Sequence, residues 1–518
     1  MLGFAKICQM ERPMRAINPN STKPVLETTP VRRQLARWAA CLSIATAAGC
    51  STGNAGTSAI DGFDSGNLDL GSRRDQGMPP EAFRFADLYR WSVPGNGLSS
   101  GVFTTSVADG RYWDTFDING DGKPDLVITS DTTKGSQVWD AAGAPYWKVH
   151  LNTGTTFAAA TKWNVPQTGP SDGVYARSQA TSYRYWTTID LNGDRKPDLV
   201  LTADTTKVQQ VWDATGSPYW KVFLNTGSGF GPAMNWPVPR SGLDDGFFSA
   251  NANQSYRYWS LLDVNGDGKP DLLHTGDTTK SQQVWDASGS PYWKVYLNTG
   301  SGFGPAMNWV VPQSGTYEGI YTTDVSGSRN WAMVDLDSDG KVDLIQTSDP
   351  TKGQQVWDAS GNPYWKVSRN TGTGFAAAAN WMVPQSGQSS GFYSTSASVQ
   401  YQYWQLMDIT GDGKLDLVQT GDSTKPQQVW DATGTPYWKV FRNNGSGFSQ
   451  ATNWLVPGSG ISEGFFTPKY CSGSRCWNTL DMNGDSKPDL VQTVDSNAST
   501  QVWDVNGTPY WKVFLGSN

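Results

Sequence analysis

Asp117-Ile-Asn-Gly-Asp-Gly-Lys-Pro-Asp125 is the stretch that decides the fold, because the chain repeats it. Further copies begin at Asp190, Asp263, Asp335, Asp408 and Asp481, at intervals of 73, 73, 72, 73 and 73 residues. A fixed period of this length marks a repeat architecture. A tryptophan stands four residues before each copy, at 113, 186, 259, 331, 404 and 477. Each copy is followed by an apolar run such as Asp198-Leu-Val-Leu-Thr202, then by Gln-Val-Trp-Asp, Pro-Tyr-Trp-Lys-Val and a Trp-x-Val-Pro segment. Residues 209–236 and 282–309 differ only at Thr215/Ser288 and Phe223/Tyr296, which points to internal duplication.

Within a repeat, the apolar runs are short and bounded by Gly, Asp, Asn and Pro, as strands are. No segment sustains a helical period. About four strands per repeat make one propeller blade. Of 25 Trp, all but Trp38 fall in the repeats, four to each of six. That count requires Trp91 to belong to the last repeat, which ends at Asn518 without its own Trp-x-Val-Pro. The expectation is an all-β, six-bladed propeller over 83–518, closed by an N-terminal strand.

Residues 1–49 are compositionally apart, with seven Lys or Arg against two acids and a short apolar stretch before Cys50. Basic region, apolar region and small residues make a secretory signal. Ala47-Ala48-Gly49-Cys50 resembles a lipobox, which would lipidate Cys50; ordinary cleavage nearby is the alternative. Residues 50–82, rich in Gly, Ser and Asp, read as a flexible tether. The expected location is an outer-membrane or cell-surface lipoprotein, or a secreted protein, touching membrane only through the lipid. Without residues 1–49 the net charge of −7 becomes −12. That acidity disfavours a nucleic-acid partner.

The acidity is concentrated in the repeated loops, where side-chain oxygens stand at positions 1, 3, 5 and 9 and the position-7 carbonyl can join them. The candidate metal ligands are Asp117, Asn119, Asp121, Lys123 and Asp125 in the first loop, and Asp190, Asn192, Asp194, Lys196 and Asp198 in the second. The third and fourth loops supply Asp263, Asn265, Asp267, Lys269 and Asp271, then Asp335, Asp337, Asp339, Lys341 and Asp343. The fifth and sixth supply Asp408, Thr410, Asp412, Lys414 and Asp416, then Asp481, Asn483, Asp485, Lys487 and Asp489. Calcium takes six to eight oxygens with several carboxylates among them, so up to six Ca²⁺ are expected. Ile128, Leu201 and His274 stand where an EF-hand needs its bidentate Glu, which excludes that motif. Arg195 and Ser486 at position 6 and Thr410 at position 3 depart from the pattern, so the second, fifth and sixth loops are expected to bind differently.

Asp-x-Asn-Gly-Asp-Gly-Lys-x-Asp-Leu, a strand, and then Leu-Asn-Thr-Gly-x-Gly-Phe resemble the FG-GAP/VCBS calcium-loop repeats. The resemblance covers about 83–518. It implies a propeller whose Ca²⁺ ions stiffen the blade loops, with binding on a face or between blades. Members usually have seven blades, so a count of six departs from the family.

For binding, the alternation of Tyr with Trp nominates Tyr146, Tyr219, Tyr292, Tyr364, Tyr437 and Tyr510 as contacts to an extracellular glycan, with the tryptophans as packing. His150 and His274 occupy non-equivalent positions, and no nucleophile motif or acid pair stands apart from the repeats. The reading is a binding module and not an enzyme. The alternatives are an adhesion or scaffold domain for a cell-surface protein, and a polysaccharide-degrading enzyme. Cys471 and Cys476, six-residue neighbours in an exported chain, are expected to form a disulfide.

Overall fold

The computed structural model describes residues 84–94, 105–108, 111–131, 138–139, 142–166, 179–181, 184–204, 211–212, 215–239, 257–277, 284–285, 291–312, 324–326, 329–348, 356–357, 360–384, 402–422, 429–430, 435–457, 470–472, 475–495, 502–503 and 509–517. The expected signal peptide, tether and Cys50 lie outside them. All the regular elements described are strands.

The second repeat shows how sequence becomes sheet. Arg184–Ile189 and Asp198–Asp204 flank the loop and pair antiparallel, Asp198 opposite Ile189. Asp198–Asp204 also pairs with Pro218–Asn225, Val200 opposite Val222. Phe230–Pro237 covers the far edge of that strand, Trp220 opposite Trp236. Neighbouring residues of a strand point to opposite faces. Leu199 therefore enters a core with Trp147, Val149 and Trp163 of the first repeat. Val200 enters another with Trp220, Trp236 and Leu272, which reaches the third repeat. Both faces of the sheet are buried, which is why the run is continuously apolar and does not alternate.

The inter-repeat cores follow one another around the molecule. Trp147, Trp220, Trp293 and Trp365 each meet a phenylalanine of the next repeat edge-on: Phe230, Phe303, Phe375 and Phe448, at centroid distances of 5.2, 5.4, 5.3 and 5.4 Å. Trp438 meets Phe85 at 5.2 Å, and Trp511 meets Phe157 of the first repeat at 5.3 Å, completing the circuit. Every tryptophan whose surroundings are described is buried except the half-buried Trp331. Packing is their role.

The expectation of six separate blades is corrected by the sheet pairing. The described strands form four separate blades, of five or six strands, and one continuous eleven-stranded sheet. The cause is the N-terminal strand Arg84–Ser92. It runs antiparallel along Pro509–Ser517, with Trp91 opposite Trp511, and on its other side pairs in parallel with Thr452–Leu455 through Arg84 and Leu455. It is not the last edge of a sixth blade. It lies in the interior of a sheet that fuses the fifth and sixth repeats.

Candidate metal site

Each loop connects two strands that pair antiparallel and is held by its own carboxylates. In the first loop the Asp117 carboxylate accepts the N–H groups of Gly120, Asp121 and Gly122 at 2.7, 3.1 and 2.7 Å. Asn119 Oδ1 accepts the N–H of Asp121, and Asp121 Oδ1 accepts that of Lys123. Asp125 is fully buried; its Oδ2 accepts the N–H of Ile118 and its Oδ1 that of Asn152, 27 residues on. Asp190, Asp263, Asp408 and Asp481 hold their loops as Asp117 does.

Positions 6 and 4 explain the sequence variants. Arg195 and Ser486 keep the left-handed backbone, φ 69° at both, that glycine adopts in the other loops. Their N–H groups still reach Asp190 and Asp481, at 2.6 and 2.7 Å. The hydrogen-bonded frame therefore survives the substitutions, at the strain of about 1–2 kcal/mol that a side chain incurs in this region. At position 4, Gly120 has φ +79°, and a Cβ there would lie 3.0 Å from Lys196 Cγ of the next loop. The fourth loop has Ser338 instead, and its hydroxyl donates across to the Gly413 carbonyl of the fifth loop at 2.8 Å.

The nine positions do not all converge. Asp121, Asp194, Asp267 and Asp339 at position 5 pair with the ammonium groups of Lys123, Lys196, Lys269 and Lys341 at 3.3, 3.3, 3.5 and 2.9 Å. Positions 1, 3 and 9 do converge in the fourth loop, where carboxylate oxygens of Asp335, Asp337 and Asp343 all lie within 4.8 Å of one another. Asp337 Oδ1 is buried and has no hydrogen-bond partner, while Oδ2 pairs with Arg369 at 3.0 Å. Three converging carboxylates, one of which carries an unsatisfied oxygen, suit a divalent cation such as Ca²⁺. In the fifth loop, Thr410 Oγ1 sits between Asp408 and Asp416, 3.4 and 3.5 Å from their oxygens.

Electrostatics agree with the fit. Burial, reinforced by neighbouring carboxylates, raises Asp125, Asp198, Asp271, Asp343, Asp416 and Asp489 to about 7, despite backbone hydrogen bonds that act the other way. Burial also raises the position-1 aspartates, Asp117 and Asp335 among them. Carboxylates so placed hold their charge poorly without a cation beside them.

The other sequence candidates are dispersed. Tyr364 and Tyr510 are buried, and Tyr146, Tyr219, Tyr292 and Tyr437 are half-buried. Tyr219 packs against the core between the first and second repeats, because neighbouring sheets cover both faces of its strand. Lys162 lies over the Tyr146 ring at 5.3 Å, and Arg90 over that of Tyr510 at 5.5 Å. Cys471 and Cys476 stand directly opposite one another on Tyr470–Ser472 and Arg475–Leu480. His150 Nδ1 lies 3.0 Å from the Ala158 carbonyl, and His274 stacks on Trp259 at 4.5 Å. Two features were missed from sequence: the asparagines behind the position-9 carboxylates, and Arg369. The asparagines were visible as the second residue of the recurring Leu-Asn-Thr-Gly; Arg369 had a signal in its recurrence as Arg442 one repeat on, where the remaining repeats carry leucine.

Residues 117–201 match the family described as FG-GAP-like repeat. The chain thus carries FG-GAP-like repeat sequence on a propeller-like all-β fold. No curated protein sequence matches it. Among solved structures, the Photorhabdus luminescens Tc holotoxin pore is similar over 84% of this chain at 15% identity and a TM-score of 0.45. This chain spans 15% of the length of that relative. An Agrocybe aegerita lectin that recognises non-reducing terminal N-acetylglucosamine is similar over 84% of this chain and 91% of its own, at 19% identity and a TM-score of 0.44. A PL25 ulvan lyase is similar over 79% of each chain, at 9% identity and a TM-score of 0.28.

Proposed function

We propose that this chain is an exported, calcium-loaded propeller that serves as a binding module for extracellular glycans. The observation that carries the calcium reading is the convergence of Asp335, Asp337 and Asp343, together with the unpartnered Asp337 Oδ1. When bound, the cation neutralises the carboxylates. The chain's own residues then do the positioning: position 1 shapes the turn, position 9 ties it to the inner strand, and position 5 holds the lysine. The glycan reading rests on repetition, since near-equivalent repeats offer a multivalent surface, and on the four tyrosines that keep part of their surface in solvent.

The test is a glycan array probed with calcium-loaded and decalcified protein, alongside a calcium count by atomic emission. Several calcium ions per chain with calcium-dependent glycan binding is the expected result. A chain that binds no calcium would overturn the first half, and one that binds calcium but no glycan the second. Exposed Val310, Met382 and Met307, at 56, 38 and 39% for Val310, Met307 and Met382, favour the alternative of a single protein partner. Capture of one protein at one-to-one stoichiometry would support it.

A further inference from the structure

The position-9 carboxylates are joined to one another. Asn225 donates its N–H to Asp198 Oδ1 at 2.8 Å and its Nδ2 to the Ile118 carbonyl of the preceding loop at 2.8 Å. The N–H of Ile118 in turn donates to Asp125 Oδ2 at 3.1 Å. Three hydrogen bonds thus run from one buried carboxylate to the next, with a single residue, Ile118, facing both sites through its two flanking peptides.

The same relay recurs between other loops. Asn298 joins Asp271 to Leu191 and Asp198. Asn370 joins Asp343 to Val264 and Asp271, and Asn443 joins Asp416 to Leu336 and Asp343. Asn152 joins Asp125 to Met482 and Asp489. The result is one line, Asp416–Asp343–Asp271–Asp198–Asp125–Asp489. It does not close between the fifth and sixth loops, for two separate reasons. Gly516 replaces the asparagine, keeping its N–H on Asp489 Oδ1 at 2.8 Å but offering no amide. The N–H of Ile409 turns to the Met407 carbonyl at 3.0 Å.

We propose that these five asparagines are positioning residues that couple the loops, so that calcium uptake is cooperative along an open line of six sites. The proposal rests on the calcium reading above. A cation that fixes one position-9 carboxylate also fixes the asparagine and the peptide that cradles the next. The neighbouring site then has less to order when it fills, and such a saving appears as positive coupling. Every member is buried, so the bonds have no competing water.

Calcium titration calorimetry on the decalcified full chain tests this. The parent should show a Hill coefficient above 1. Asn298→Gly copies what Gly516 does natively, sparing the backbone bond while cutting the line into two halves of three sites. Asn443→Gly detaches only the end site. The Hill coefficient should fall most for Asn298→Gly and less for Asn443→Gly, at unchanged stoichiometry. A merely structural role would not produce that order. Melts of the calcium-free variants check folding, and if Asn298→Gly does not fold, a Hill coefficient for Asn443→Gly no lower than the parent's refutes the coupling. A non-cooperative parent isotherm, or variants as cooperative as the parent, also overturns it while leaving calcium binding intact. Absence of calcium binding overturns both.

Discussion

Asp337→Asn should stabilise the chain without calcium and destabilise it with calcium. Asparagine already stands at this position in four other loops, as Asn119, Asn192, Asn265 and Asn483, so the backbone tolerates it. The carboxylate oxygens of Asp335, Asp337 and Asp343 lie within 4.8 Å. Two unit charges that far apart repel by about 3.5 kcal/mol at an effective dielectric constant of about 20. Asp343, raised to about 7, is partly protonated near neutrality, which leaves the repulsion from Asp335 as the main relief. Against it stands the pair with Arg369, whose side chain is 51% exposed; such a pair contributes up to about 1 kcal/mol. The balance favours the variant by about 2 kcal/mol, or roughly 2 °C in melting temperature for a repeat region of this length. With calcium the sign reverses. A site filled at a hundredfold excess over Kd contributes about 2.7 kcal/mol, and loss of the carboxylate removes most of it, more than the about 2 kcal/mol gained. Thermal melts of parent and variant, decalcified and at millimolar calcium, decide it. A shift of the same sign in both conditions refutes the cation reading of this loop.

Acidification should stabilise the decalcified chain: the position-9 aspartates are near 7 when folded against 3.8 for the free side chain. The gain is complete below the lower value and lost as pH rises through the higher, and calcium should abolish it; a decalcified melting temperature that falls steadily from pH 8 to pH 5 contradicts this. Trp220→Ala should cost about 3–5 kcal/mol in denaturant unfolding, as large buried truncations do, since Trp220 is 1% exposed and abuts Phe303. Gly411→Ala should destabilise by roughly 1–2 kcal/mol, because φ is +72° and the new Cβ would lie 2.8 Å from Lys487 Cγ; an unchanged melt means the turn relaxes freely. Deleting 83–95 should leave Pro509–Ser517 as a bare edge and promote aggregation, read by light scattering against a 51–75 deletion that leaves folding unchanged.

The repeat, the strands and the loops were legible because each rests on local chemistry. Glycine and aspartate at fixed spacing dictate a turn, and a short apolar run dictates a strand. What was illegible depended on which strands meet. Trp91 announced that the N-terminal segment lies beside Trp511. Nothing in the sequence announced the contact of Arg84 with Leu455 on its other side, and that contact turns separate blades into one sheet. The burial of Tyr364 and Tyr510 was illegible for a related reason. Alternation locates two faces but does not reveal that neighbouring sheets cover both. At position 5, the lysine two residues on pairs with aspartate in four loops, a partner that spacing alone does not reveal.

The N-terminal strand also sets a timetable. Ser517 donates its hydroxyl to the carbonyl of Arg84, 433 residues away, so the eleven-stranded sheet joins the first described residue to the last. Contacts so distant in sequence are the slowest to form. At synthesis rates of about 5–20 residues per second, Arg84–Ser92 waits on the order of 20–90 s for its antiparallel partner to exist. Through that interval Phe85 and Trp91 have no finished sheet to enter. Earlier repeats can stack as they emerge, but the eleven-stranded sheet is completed only when Pro509–Ser517 arrives.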